Sequence, residues 1–233
     1  MKAKLHRLID ASRAKEEEVL IPHVDDREPS EPGAWTTKDQ VAHMMSWRQV
    51  ATGEIRAVLT GGEPPDVSTD DDAENEKFYA RTHHLPAQEI VEQARLSWDA
   101  LADAVEACTE EDLERSRPRY PNSKLYVEVT GNTYFHVAEH LAYWYDDQGH
   151  EAEAEKAALW GYDLVNSVFQ EDRMRGSAEY NLGCLYAKRG MADKALPRLA
   201  RGFELRPELR EHAKTDSDLD PIRSHEEFAT LLG

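Results

Sequence analysis

The sequence predicts an all-α protein, a four-helix bundle followed by a small helical module. Three observations predict it. Apolar residues recur at spacings of three and four along most of the chain, strand-type alternation is almost absent, and proline and glycine cluster between the apolar stripes. Hydrophobic residues make up 40% of the 233 residues and charged residues 32%, enough for a core under a heavily charged surface.

Leu5, Leu8, Ile9 and Leu20 mark a first helix that stops near Pro22. A segment rich in breakers follows, with Pro22, Pro29, Pro32 and Gly33. Thr37 and Gln40 fit a capping box, so a second helix starts there. Val41, Met44, Ala51, Ile55 and Leu59 continue one apolar face until Gly61-Gly62 ends it. The acidic run from Asp66 to Glu76 reads as a solvated loop leading into a helix N-terminus.

A third long helix runs from about Pro86 to Cys108 on the stripe Ile90, Ala94, Trp98, Leu101, Val105 and Cys108. After a polar loop through Pro118 and Pro121, a fourth helix opens near Gly131-Asn132-Thr133. It carries Val137, Leu141 and Trp144 to about Gly149. Four such helices bury their stripes most economically against one another, which places a first domain at 1–150.

The character changes over 151–233. A charged helix start, Glu151 to Lys156, leads into Trp160, Leu164 and Val168. Next come Leu182-Gly183, Tyr186, the turn glycine Gly190, the small residue Ala195 and the closing Pro207. This pattern resembles one tetratricopeptide repeat, although Glu179 stands where the repeat usually has an aromatic, with Tyr180 beside it. Phe228 and Leu231-Leu232 suggest a closing helix. One repeat cannot build a long groove, so a docking or dimerisation unit is expected.

The formal charge is -18, from 46 acidic against 28 basic side chains. Such a surface repels phosphate backbones and anionic lipid, so neither nucleic acid nor a membrane is an expected partner. No stretch approaches the ~20 apolar residues of a membrane span, and Met1 to Leu20 lacks a signal-peptide core. Cys108 and Cys184 fit no metal or redox spacing and read as reduced, buried thiols of a cytoplasmic protein.

Among ten histidines an i, i+4 pair arises by chance about 0.4 times, so His136 and His140 alone prove little. Their setting adds weight: one turn apart on an amphipathic helix, their side chains can converge on one ion. His43, between Ala42 and Met44 on the second helix, lies beside the inward stripe. Three imidazoles from two facing helices would hold a divalent metal and leave a position open for water or substrate. The bland alternative is three half-buried histidines, each bonded to a neighbour. His136-Val137-Ala138-Glu139-His140 also spells the inverted zinc-protease pattern H-x-x-E-H, but the chain has no scaffold for a peptide cleft. Glu139 is the weak candidate for a catalytic base. His83-His84 read as surface residues before Pro86, and Glu54 lies ~16 Å along the helix from His43, too far to share its ion.

The segments Trp35 to Trp47 and Gly131 to His140 resemble the second and last helices of the DinB superfamily, the latter especially its ClbS/DfsB-type branch. The resemblance spans approximately residues 1–150. It implies an up-and-down four-helix bundle, often dimeric, with zinc, nickel or a similar divalent ion on His43, His136 and His140. It further implies detoxification of small electrophilic molecules, by thiol S-transfer using a low-molecular-weight thiol or by hydrolysis. A non-catalytic binding scaffold, with the tetratricopeptide-like module recruiting a protein partner, is the alternative.

Overall fold

A computed structural model describes residues 1–25 and 35–233, and within these the chain is helical, with one isolated bridge between Ser116 and Lys124. The breakers Pro29, Pro32 and Gly33 lie outside the described residues. The chain divides into two compact units, Met1–Ala154 and Glu155–Gly233.

In the first unit, α1 (Lys2–Val19) buries Leu5, Leu8 and Ile9, and α2 (Thr37–Thr60) buries a broad face. The capping box that starts α2 falls one residue before the expected one. The Thr36 hydroxyl accepts from the Asp39 amide, and the Asp39 carboxylate accepts from the Thr36 amide. The Thr37 hydroxyl instead accepts from the Trp144 indole at 2.9 Å. Gly61, at φ 68°, ends the helix in a left-handed conformation that side-chain-bearing residues seldom adopt. Then α3 (Asp71–Thr82) starts on the Asp70 side chain, with Asp71, Asp72 and Glu74 in a first turn where the helix dipole favours acids. His83 and His84 sit in the turn that follows.

Helix α4 (Ala87–Ala107) begins after Pro86 and ends at Cys108, and it lies along α1 and α2. A short α5 (Glu110–Leu113) precedes the largest departure from expectation. The last helix does not open at Gly131. It starts at Leu125 as α6 (Leu125–Thr130), passes through a π turn over Gly131–Phe135, and continues as α7 (His136–Asp147). Valine, threonine and glycine, all weak helix formers, disguise its beginning. Trp98 and Trp144 are core residues, whereas Trp35 is half-buried.

Two charged clusters lie inside this unit. The Arg48 guanidinium, fully buried on α2, donates to both carboxylate oxygens of Glu16 at 2.8 and 3.1 Å and to the Ser97 hydroxyl at 2.9 Å. Its Cζ lies 4.0 Å from the Trp98 ring centroid, and the Trp98 indole donates to Glu16. Further along α2, Arg117 pairs with Glu54 at 3.2 Å and, more closely, with Glu128 of α6. Two carboxylates share that one guanidinium.

Burial therefore raises the Glu128 carboxyl from 4.5 to about 7, Arg117 opposing and Glu54 adding to the shift. The stability this group contributes is complete below about pH 4.5 and is lost as pH rises through about 7. Glu128→Gln, neutral throughout, is expected to flatten that decline in denaturant titrations run across this window. Parallel wild-type and variant profiles would contradict the shift.

In the second unit, the part of α8 (Glu151–Val168) from Glu155 onward precedes α9 (Asp172–Lys188) and α10 (Ala192–Leu205). Close approach of α9 and α10 explains their small residues. A Cβ on Gly183 would stand 2.9 Å from the Leu199 side chain, and one on Gly202 would stand 3.3 Å from backbone atoms of Gly176 and Tyr180. Leu182, Ala195, Leu199 and Phe203 form the core, closed by α11 (Leu209–Ala213), a 3₁₀ turn over Ser217–Ile222 and Phe228 of α12 (Glu226–Leu232). Both cysteines are buried free thiols, 2% and 6% exposed at Cys108 and Cys184.

Candidate metal centre

His43 stands in the second turn of α2, His136 immediately after the π turn, and His140 one helical turn further on. The fold brings all three rings together. Each pair of ring centroids is 4.8 Å apart, and one nitrogen from each ring lies within 4.8 Å of the others. The Nε2 atoms of His43 and His136 are 2.8 Å apart, joined by a hydrogen bond. Among the described residues, no other group of three or more metal-ligating side chains converges in this way.

The electrostatics favour neutral rings, the form that coordinates metal. Burial lowers the His43 pKa to about 4, with the Arg48 charge adding to the effect. Burial likewise holds His136 and His140 far below the usual histidine range, helped for His136 by His140, His43 and Arg48 and for His140 by His43. Two buried nitrogens, Nδ1 of His43 and Nδ1 of His140, have no hydrogen-bond partner. Such buried atoms cost stability unless a partner engages them.

The donor set fits a divalent ion. Imidazole suits zinc and nickel, and ligands ~2.0–2.1 Å from a tetrahedral ion stand ~3.4 Å apart, between the closest contact and the 4.8 Å limit of this cluster.

Aromatic rings wall the histidines. Trp35 lies 4.8 Å and Trp47 6.5 Å from His43, and Tyr143 is 5.9 Å from His140, all as centroid distances. The Tyr143 hydroxyl donates to Glu139 at 2.9 Å, so the weak catalytic candidate is engaged with its neighbour one turn along. Glu54 is committed to Arg117, in keeping with its exclusion as a ligand. Sequence reasoning missed Trp35 and Trp47 as walls of the site, although their closeness to His43 in sequence was the available signal. It also missed the π turn.

A helical protein with a buried triad of neutral histidines is the class that fold and site define. The family model of the DinB superfamily matches residues 11–143, more than half of the chain and inclusive of all three histidines, and the chain belongs to that superfamily. No curated protein and no solved structure matches it.

Proposed function

We propose that the chain is a metal-dependent enzyme that acts on a small electrophilic molecule, as a thiol S-transferase or a hydrolase with a protective role. The observation that carries this reading is the convergence of three neutral, buried imidazoles with two unpartnered nitrogens. His43, His136 and His140 would hold the ion, zinc or nickel by donor chemistry. Bound there, it supplies Lewis acidity, which stabilises an anionic nucleophile near neutral pH.

The chain's own residues do the rest. Trp35, Trp47 and Tyr143 limit water around the histidines, which strengthens electrostatic interactions inside. Arg48 helps keep the rings unprotonated. Tyr143 orients the Glu139 carboxylate, the candidate base. In this reading the first unit is a DinB-like four-helix bundle of the ClbS/DfsB type, working in the cytoplasm with a low-molecular-weight thiol as co-substrate. No helix of the described residues is long and apolar enough to cross a membrane.

Elemental analysis of the purified protein tests the core of it. One equivalent of a divalent transition metal per chain, or stoichiometric uptake of added zinc, is expected. Absence of both would favour the second reading, a non-catalytic scaffold. The close packing of Gly183 on Leu199 supports that reading's tetratricopeptide-like module, which would recruit a protein partner or a second copy of the chain.

A further inference from the structure

Along the helix from Leu125 to Asp147, five residues spaced by four are each 0% exposed: Leu125, Val129, Thr133, Val137 and Leu141. On a regular α-helix such a stripe drifts around the axis. At ~100° per residue, the sixteen steps from Leu125 would leave Leu141 ~160° around the axis, on the opposite face. The π turn between them roughly halves that drift. Its wider i→i+5 ladder advances only ~82° per residue, and over five residues it gives back ~90°. That correction sets where the next residues point, and the next residues are His136 and His140.

The turn is held by side chains. The His136 amide makes the i→i+5 bond to the Gly131 carbonyl. Wide turns strain the ladder just before them, and three side chains bond to carbonyls there. Thr130 donates to Val127 at 2.8 Å and Thr133 to Val129 at 2.8 Å. The Asn132 amide donates both to the Glu128 carbonyl at 3.1 Å and to the Glu128 carboxylate at 2.9 Å. Glu128 is in turn fixed by Arg117, which also grips Glu54 on α2, the helix that carries His43. A hydrogen-bonded chain thus runs from one histidine-bearing helix to the other: Glu54, Arg117, Glu128, Asn132.

We propose that this π turn is the register device of the histidine centre, and that Asn132 is its positioning residue, turning His136 and His140 towards His43 without touching the metal. The inference rests on the metal-site reading for its affinity measurement, but not for its geometry.

The test compares wild type with Asn132→Ala, Asn132→Ser and a deletion of Gly131 that converts the π turn to an α turn. Zinc affinity is measured by competition with a chromophoric chelator. Ring-nitrogen NMR of the metal-free protein reads the proton shared by His43 and His136. Asn132→Ala is expected to bind zinc roughly 10–100-fold more weakly, the usual effect of losing a group that orients a ligand. It should keep wild-type helicity. Asn132→Ser, whose hydroxyl can bond the Glu128 carbonyl four residues back as Thr133 bonds that of Val129, should recover most of the affinity. The deletion should stay helical and lose the shared-proton signal.

Unchanged affinity in Asn132→Ala, no recovery in Asn132→Ser, or a shared-proton signal that survives the deletion would each overturn the proposal. Should wild type bind no zinc, the metal reading fails, and the ring spectra of the metal-free variants still decide the geometry. Should the deletion variant not fold, the alanine and serine variants decide it.

Discussion

Replacing His136 with alanine is expected to cost the protein its stoichiometric metal. The ring is hydrogen-bonded to His43 and lies 4.8 Å in ring-centroid distance from each of the other two. Without it only two imidazoles remain, and neither has another ligating group converging with it among the described residues. Loss of an outer group that orients a ligand already weakens binding roughly 10–100-fold, and loss of the ligand itself costs more. A thermal readout should agree. Zinc at about 100 times its dissociation constant stabilises a binding protein by about 2.7 kcal/mol, so added zinc should raise the wild-type melting temperature and leave His136→Ala unmoved. A full metal complement in the variant, with an equal thermal shift, would refute the ligand assignment.

The second large effect is structural. Arg48→Met is expected to destabilise the first unit by about 3–5 kcal/mol, because it strands the Glu16 carboxylate in the core with only the Trp98 indole as a donor. At roughly 2–4 °C per kcal/mol, the melting temperature should fall by about 6–20 °C. The pair's value lies in its completeness. Both carboxylate oxygens are bonded, the guanidinium has Ser97 and Glu16, and Trp98 covers its face. Glu16→Leu combined with Arg48→Met should therefore recover much of the loss, since a well-packed apolar replacement spares both desolvation penalties. A single variant within about 1 kcal/mol of wild type would show that water reaches the pair and relieves it.

Much of this arrangement could be read from the residues, and the exceptions share a cause. The stripes of α1, α2 and α4 and the i, i+4 histidine pair are local periodicities, so spacing alone exposes them. The convergence of His43 with that pair is not local, and inward-facing stripes and a family likeness supplied it. Arg48 was passed over because a charged residue within a stripe reads as an interruption until its partner, 32 positions earlier, is known. The cap of α2 fell one residue off because Thr36 and Thr37 are equivalent in pattern, and only the reach of Asp39 chooses between them. The π turn left a trace, the run of four-residue spacings from Leu125 to Leu141, but it has meaning only once all five residues are seen to be buried.

The two sheltered cysteines acquire a chemical sense beside the proposed activity. An alkylating compound attacks thiolates before almost anything else on a protein, so a catalyst that gathers such compounds endangers itself first. Burial raises the pKa of both thiols, and nearby acids, Asp112 for Cys108 and Asp216 for Cys184, push in the same direction. Each sulfur therefore stays protonated and out of reach. A chain with the proposed activity would thus meet its reagents without offering them a thiolate.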